Sequence, residues 1–154
     1  MLKRAVITGM GVVSPNGIGK TAFCRAILDC VTRLPGVKSA SFSDGLPMTR
    51  IRLMKFAVEG WPTPTHGSEP TADMRGITSP DYFATLGIPL LSGRTFTKDE
   101  LEQNQLAIVI NQALAAKLWP GQDAIGKHIS SVGPAKPGVP PVRYTVIGVQ
   151  GNAR

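Results

Sequence analysis

The 154-residue sequence is poor in the residues that build most catalytic and metal centres. It has two cysteines, Cys24 and Cys30, and two histidines, His66 and His128, with no C-x-x-C or H-x-x-H spacing among them. A zinc or redox centre of the usual spacing is therefore unsupported. Six residues turn a helix through about 600°, so Cys24 and Cys30 on one helix point apart, and burial as small apolar side chains is expected of both rather than a disulfide. No G-x-S-x-G elbow surrounds any serine. No apolar run reaches the roughly 18 residues that a membrane span requires. The opening Met1-Leu2-Lys3-Arg4 and Ala5-Val6-Ile7 are followed too soon by Gly9, Gly11 and Pro15, with no cleavage signature, to read as a secretory signal.

Acidic residues are scarce as well, ten against seventeen Lys and Arg, and the shortage is local. From Met1 to Lys55 nine bases meet two acids, Asp29 and Asp44, whereas from Phe56 to Arg154 eight bases meet eight acids. The whole net charge of +7 thus belongs to the first third. Only Phe23 and Phe42 interleave these bases, so the pattern reads as a solvated basic face and not as a nucleic-acid surface.

What is present supports one packed domain with many turns. The chain is 42% hydrophobic and 18% charged, with 17 Gly and 13 Pro. Lys3 to Thr8 reads as a strand and Lys20 to Arg33 as a helix, with Ala22, Phe23, Ala26, Ile27, Cys30 and Val31 at helical spacing and Pro35-Gly36 as its stop. Short strands are expected at Val37–Phe42, Ile51–Val58, Ala72–Thr78 and Ile88–Leu91. Ser79-Pro80-Asp81 reads as N-cap, first helical position and first-turn acid of a short helix that Gly87 ends. Thr97 to Glu100 opens another helical turn, and Asp99, Glu100 and Glu102 read as dipole-favoured acids rather than a catalytic pair. Leu106–Ile110 is a buried strand, after which Asn111 caps a helix that Trp119-Pro120-Gly121 stops. Ser130–Pro141 reads as a loop. Val142–Val149 is apolar on both faces, which suits a central strand. The order implies an α+β fold, a mixed sheet with short helices mainly on one side and an extra N-terminal β-α unit. Trp61 and Trp119, each beside a proline, are expected to be partly buried packing caps, and both histidines to lie at the surface.

One string suggests phosphate chemistry. Residues 14–21, Ser-Pro-Asn-Gly-Ile-Gly-Lys-Thr, follow a strand and precede a helix, where Lys20 would reach phosphates and Thr21 would hold Mg²⁺. The first glycine of that pattern is replaced by Ser14, and no buried strand ends in Asp. Gly9-x-Gly11 is a fragment of a dinucleotide fingerprint better explained as a turn. A nucleotide-binding module built on Lys20 and Thr21 stays as one alternative function.

Two resemblances complete the reading. Lys3 to Gly19, KRAVITGMGVVSPNGIG, resembles the opening of a β-ketoacyl-ACP synthase, extending to about Asp29. The cysteine and histidines of that family's chemistry find no counterpart in Cys24, Cys30, His66 or His128, so condensing activity is not implied, and an inactive fragment of that family stays as the other alternative function. From Leu34 the sequence resembles the MacB-like periplasmic core domain of an ABC transporter permease. The resemblance is carried by Leu34-Pro35-Gly36-Val37, Phe56-Ala57-Val58-Glu59-Gly60, Thr78 to Arg94, Val109 to Ala115, Leu118 to Gly121, Ile125-Gly126-Lys127 and Thr145 to Arg154. The two together imply a chimera, with a synthase-like β-α segment at residues 1–33 and a partial permease domain at 34–154 that stops near the family domain's middle. They imply a non-catalytic extracytoplasmic module with no cofactor, no metal and no catalytic residue, which couples transport to a substrate or partner protein. Its partners are other parts of a permease or a partner protein, with no nucleic acid and an unknown small-molecule substrate. The family domain is extracytoplasmic, while this chain, lacking a convincing signal or anchor, is expected in the cytoplasm if expressed as it stands.

Overall fold

The structure is a computed structural model, and it describes residues 20–44, 52–62, 65, 67–77, 79–103, 106–132 and 140–152. The strand expected at Lys3–Thr8 lies outside these residues, as do His66 and the side chains of residues 20–25 and of Glu102.

Among the described residues six strands and four helices follow one another in the order α1 (Lys20–Thr32), β1 (Arg52–Val58), β2 (Thr71–Met74), α2 (Tyr82–Leu86), β3 (Leu90–Gly93), α3 (Lys98–Glu102), β4 (Ala107–Asn111), α4 (Gln112–Leu118), β5 (His128–Ser131) and β6 (Arg143–Gln150). The strands form one mixed sheet around β6. β2, β1, β5 and β6 run side by side, each antiparallel to the next, while β4 lies parallel to β6. β5 pairs with the start of β6, at Arg143 to Thr145, and β3 with its end, at Gly148 to Gln150. The α+β expectation therefore holds, and β6 is central as its two-sided apolar pattern implied.

The core follows from alternation along the strands. Phe56 and Val58 of β1 turn inward, whereas Leu53, 59% exposed, faces water. Val146 and Val149 of β6, Ile129 of β5 and Ile110 of β4 complete the apolar layer. Phe56, Leu118 and Val146 are the largest fully buried side chains. Each of these contributes about 1.5–3 kcal/mol by leaving water. α4 closes the layer over β4 and β6. It starts at Asn111, whose side chain accepts from Leu114 N at 2.9 Å, and ends at Trp119, which seals the core at 5% exposure.

β6 also carries a bulge. Ile108 opposes Val146 and Val109 opposes Gly148, so Ile147 is the extra residue. The carbonyl of Ile147 accepts from Arg94 N at 2.9 Å as the chain leaves β3. Gly148 and Gly93 let the two backbones meet, because a Cβ on Gly148 would collide with the Arg94 carbonyl and one on Gly93 with the Ile147 carbonyl.

Several expectations are corrected. Val37–Phe42 is not a strand; an isolated bridge from Ser43 to Ile77 follows it. The Phe42 N–H donates instead to Ser79 Oγ at 3.0 Å. The next helix also starts later than expected, with Asp81 rather than Ser79 at its N-cap. α2 begins at Tyr82 after Asp81, with no side-chain cap. Gly87 ends α2 as expected, left-handed at φ 69°. Ser130 and Ser131 belong to β5 and not to a loop, held by pairing with Phe56 and Ala57 of β1. Of the tryptophans, Trp119 is core while Trp61 is 45% exposed. Cys30 is exposed rather than buried.

Candidate functional site

Two polar clusters and one depression stand out. The first cluster ties the ends of three strands. Glu59, just after β1, receives a hydrogen bond from His128 Nδ1 at 2.8 Å on Oε2 and one from Arg143 Nη2 at 2.8 Å on Oε1. Antiparallel pairing explains the meeting: Val58 opposes Ile129, so the next residue, Glu59, comes beside His128, and its backbone N–H donates to the His128 carbonyl at 3.3 Å. Arg143, opposite Ser130, reaches diagonally across β5. The bond from His128, followed by the charge of Arg143, holds the Glu59 carboxyl below its ordinary value. Glu59 is more than half exposed, so this clasp is screened by water and salt.

In the second cluster the acid is covered and the base is half exposed. The Arg94 guanidinium grips Glu100 with two bonds, 2.7 Å and 2.6 Å. Glu100 also accepts from Thr97 N at 2.9 Å, while Thr97 Oγ1 accepts from Glu100 N, the reciprocal capping box of α3. The Glu100 side chain is 11% exposed. Its carboxyl is pulled down to about 2, first by the Arg94 hydrogen bonds and next by the Thr97 backbone. Asp99 shares the first turn of α3, whereas Glu102 closes the helix. The acids are thus helix-start chemistry in the case of Asp99 and Glu100, as their spacing implied.

A shallow, open depression of about 260 Å³ lies between α4 and β3, lined by Ala115, Trp119, Gln122, Ser92 and Val149 among others. Lys127 Nζ sits 5.4 Å from the Trp119 ring centroid and bonds Gln122 Oε1 at its rim.

Lys20 begins α1 and Thr21 follows it on the first turn, but residues 14–19, the loop of the phosphate reading, lie outside the described residues, as does Gly9-x-Gly11. Among the described residues no three His, Cys, Asp or Glu side chains gather as metal ligands. His128 is half-buried and engaged with Glu59, not simply exposed. The Glu59–His128–Arg143 clasp was not legible in the sequence, since its members are separated by 69 and 84 residues and only strand pairing brings them together.

The sheet and its relatives point in one direction. The family model of the MacB-like periplasmic core domain matches residues 8–153. The chain belongs to that family. Its fold is similar to the periplasmic region of MacB from Actinobacillus actinomycetemcomitans, at TM-score 0.56 and 16% identity over 84% of this chain and 50% of that one. A domain of a permease protein from Porphyromonas gingivalis aligns at TM-score 0.47 and 18% identity over 66% of this chain and 40% of that one. The extracellular domain of the noncanonic ABC-type transporter YknZ from Gram-positive bacteria aligns at TM-score 0.47 and 20% identity over 86% and 59%. The chain therefore spans about half the length of these solved structures. No curated protein matches the sequence significantly.

The MacB-like domain is an extracytoplasmic part of a transporter permease, and no helix among the described residues is long and apolar enough to cross a membrane. The family match starts at residue 8 and runs through the stretch that resembles a synthase. The synthase resemblance and the chimera it implied thus find no support.

Proposed function

We propose that this MacB-like domain is a non-catalytic extracytoplasmic module that couples the motion of an ABC transporter permease to a substrate or a partner protein. The observation that carries the reading is the family match over residues 8–153 together with the β6-centred sheet. The character of the clusters agrees with it. Both carboxylates bind arginine and serve backbone geometry, and the Trp119 depression is open and shallow. Such surfaces suit docking to protein better than enclosure of a reacting small molecule. In this reading residues 34–154 carry the permease-type sheet and residues 1–33 add a helix-bearing segment to it. The partners are other parts of the permease or a partner protein.

The test is made in the intact permease. Deleting residues 52–150 is expected to abolish substrate-stimulated ATP hydrolysis by the assembled transporter while basal hydrolysis persists. Equal stimulation with and without the segment would overturn the proposal. A calorimetric titration of the chain with millimolar ATP is expected to give no heat; heat that disappears in Lys20→Ala would also overturn it.

A further inference from the structure

After α1 the chain meets the continuation of β2, the strand at one end of the sheet, in a short contact. Among the described residues the hydrogen bonds of 33–41 are local, from Leu34 N to Val31 O at 3.1 Å and from Val37 N to Leu34 O at 3.2 Å. Most of these residues are exposed. Residues 42–44 then lie antiparallel to 76–79. The Phe42 N–H donates to Ser79 Oγ at 3.0 Å, Ser43 bridges Ile77, and the Asp44 N–H donates to the Gly76 carbonyl at 2.9 Å. Ser79 is 3% exposed, so its hydroxyl is a fixed acceptor. A Cβ at Gly76 would stand 2.8 Å from Asp44 Oδ2, so glycine leaves the room in which the Asp44 side chain lies over this edge.

Two hydrogen bonds and one bridge make a contact of marginal strength. Each residue it fixes costs backbone entropy, which a single remaining bond does not offset, so the contact holds while all its parts hold. The neighbouring sheet is different in kind. β1 is paired on both sides, to β2 and to β5, and Phe56 within it is fully buried. Short, half-buried or exposed contacts open at the low end of the stability range and buried central strands at the high end. Phe42 and Ser43 are half-buried and Asp44 is exposed.

We propose that residues 42–44 are a strap that opens and closes on residues 76–79 as one unit, with the Ser79 hydroxyl as its catch. Opening leaves the sheet folded and frees residues 33–44 as one tether behind α1. This goes beyond the transporter reading and does not depend on it, because opening is measured on the chain alone.

The experiment is amide hydrogen exchange of the full chain, followed residue by residue by NMR. Phe42 and Asp44 are expected to be protected at least about tenfold relative to an unstructured chain. They are expected to exchange at least about a hundredfold faster than Phe56, which donates to Pro70 O, and Val146, which donates to Lys127 O. In the wild type the two strap amides share one shallow urea dependence, against a steep one for Val146, because the strap exposes little surface on opening. Ser79→Ala is expected to raise the Phe42 and Asp44 rates together, by roughly five- to tenfold, the weight of a single hydrogen bond. Asp44→Pro, which removes the other donor, is expected to raise the Phe42 rate by a similar factor. Unfolding midpoints check that both variants are folded, and the urea dependence needs no variant. Acceleration of Phe42 alone in Ser79→Ala, an unchanged Phe42 rate in Asp44→Pro, or separate urea slopes for the two amides would mean fraying bond by bond and overturn the proposal. Exchange at the rate of Val146 would overturn it too, since the segment would then leave only with the whole sheet. So would exchange without protection, which leaves no closed strap.

Discussion

α1 and α4 are both amphipathic, yet they stand in opposite relation to the core. α4 has seven residues and buries Leu118 to 1% exposure against the sheet; α1 has thirteen, and none of its described side chains reaches full burial. Length and helical periodicity therefore do not rank helices by their contribution to stability. What matters is whether an apolar stripe meets a complementary surface, because isolated helices of this length are marginal in water. α4 follows β4 directly, with Asn111 serving as the last strand residue and as the cap, so its stripe is delivered onto the sheet. α1 is followed by residues 33–42, which carry no regular structure, and its described side chains, those of residues 26–32, gain no such burial.

The largest expected effect breaks this contrast at α4. Leu118→Ala should lower the stability by about 2–5 kcal/mol in urea unfolding, through lost transfer energy and the cavity left among Phe56, Ile110 and Val146. Val31→Ala on α1 should cost less than about 1 kcal/mol, and a larger loss would show that α1 is packed as tightly as α4.

The two Arg–Glu clusters repeat the comparison at the level of charge. Glu100 is sheltered and bonded by both Arg94 and Thr97, while Glu59 stands in water. Glu100→Gln should cost roughly 1 kcal/mol, since a folded-state carboxyl at about 2 lies well below its ordinary value while the half-exposed Arg94 lets water screen the pair. Glu59→Gln should leave the unfolding midpoint where it is, because so exposed a clasp is screened.

The sign of the pH dependence follows. Glu100 is depressed in the folded state, so its contribution is complete above the ordinary carboxylate range and is lost as pH falls from about 5 toward about 2. Thermal unfolding of the wild type should lose stability over that window, and Glu100→Gln should flatten the loss. Glu59→Gln should not, and an equal flattening by both variants would remove the distinction between the sheltered and the exposed pair.

Much of the architecture was legible before any coordinates. The helical turn that opens at Thr97, the cap at Asn111, the stop at Gly87 and the two-sided apolar run of β6 all depend on neighbours within a few residues, so spacing reports them. The errors lie where a distant partner decides. Ser79 has the sequence of a cap but spends its hydroxyl on Phe42, 37 residues earlier. The same bond engages the Phe42 N–H, and residues 37–42 form no strand. Ser130 and Ser131 look like loop residues and become strand because β1 and β6 flank them.

By itself, then, the sequence determined local geometry and the segregation of charge into the first third, since both are properties of neighbouring residues or of simple counts. Tertiary structure alone decided that Leu118 of α4 would be anchored in the core, which carboxylate would be sheltered, and that Glu59, His128 and Arg143 would meet. Strand pairing across 69 and 84 residues is chosen by the burial of the whole apolar layer, a quantity that no window of sequence contains.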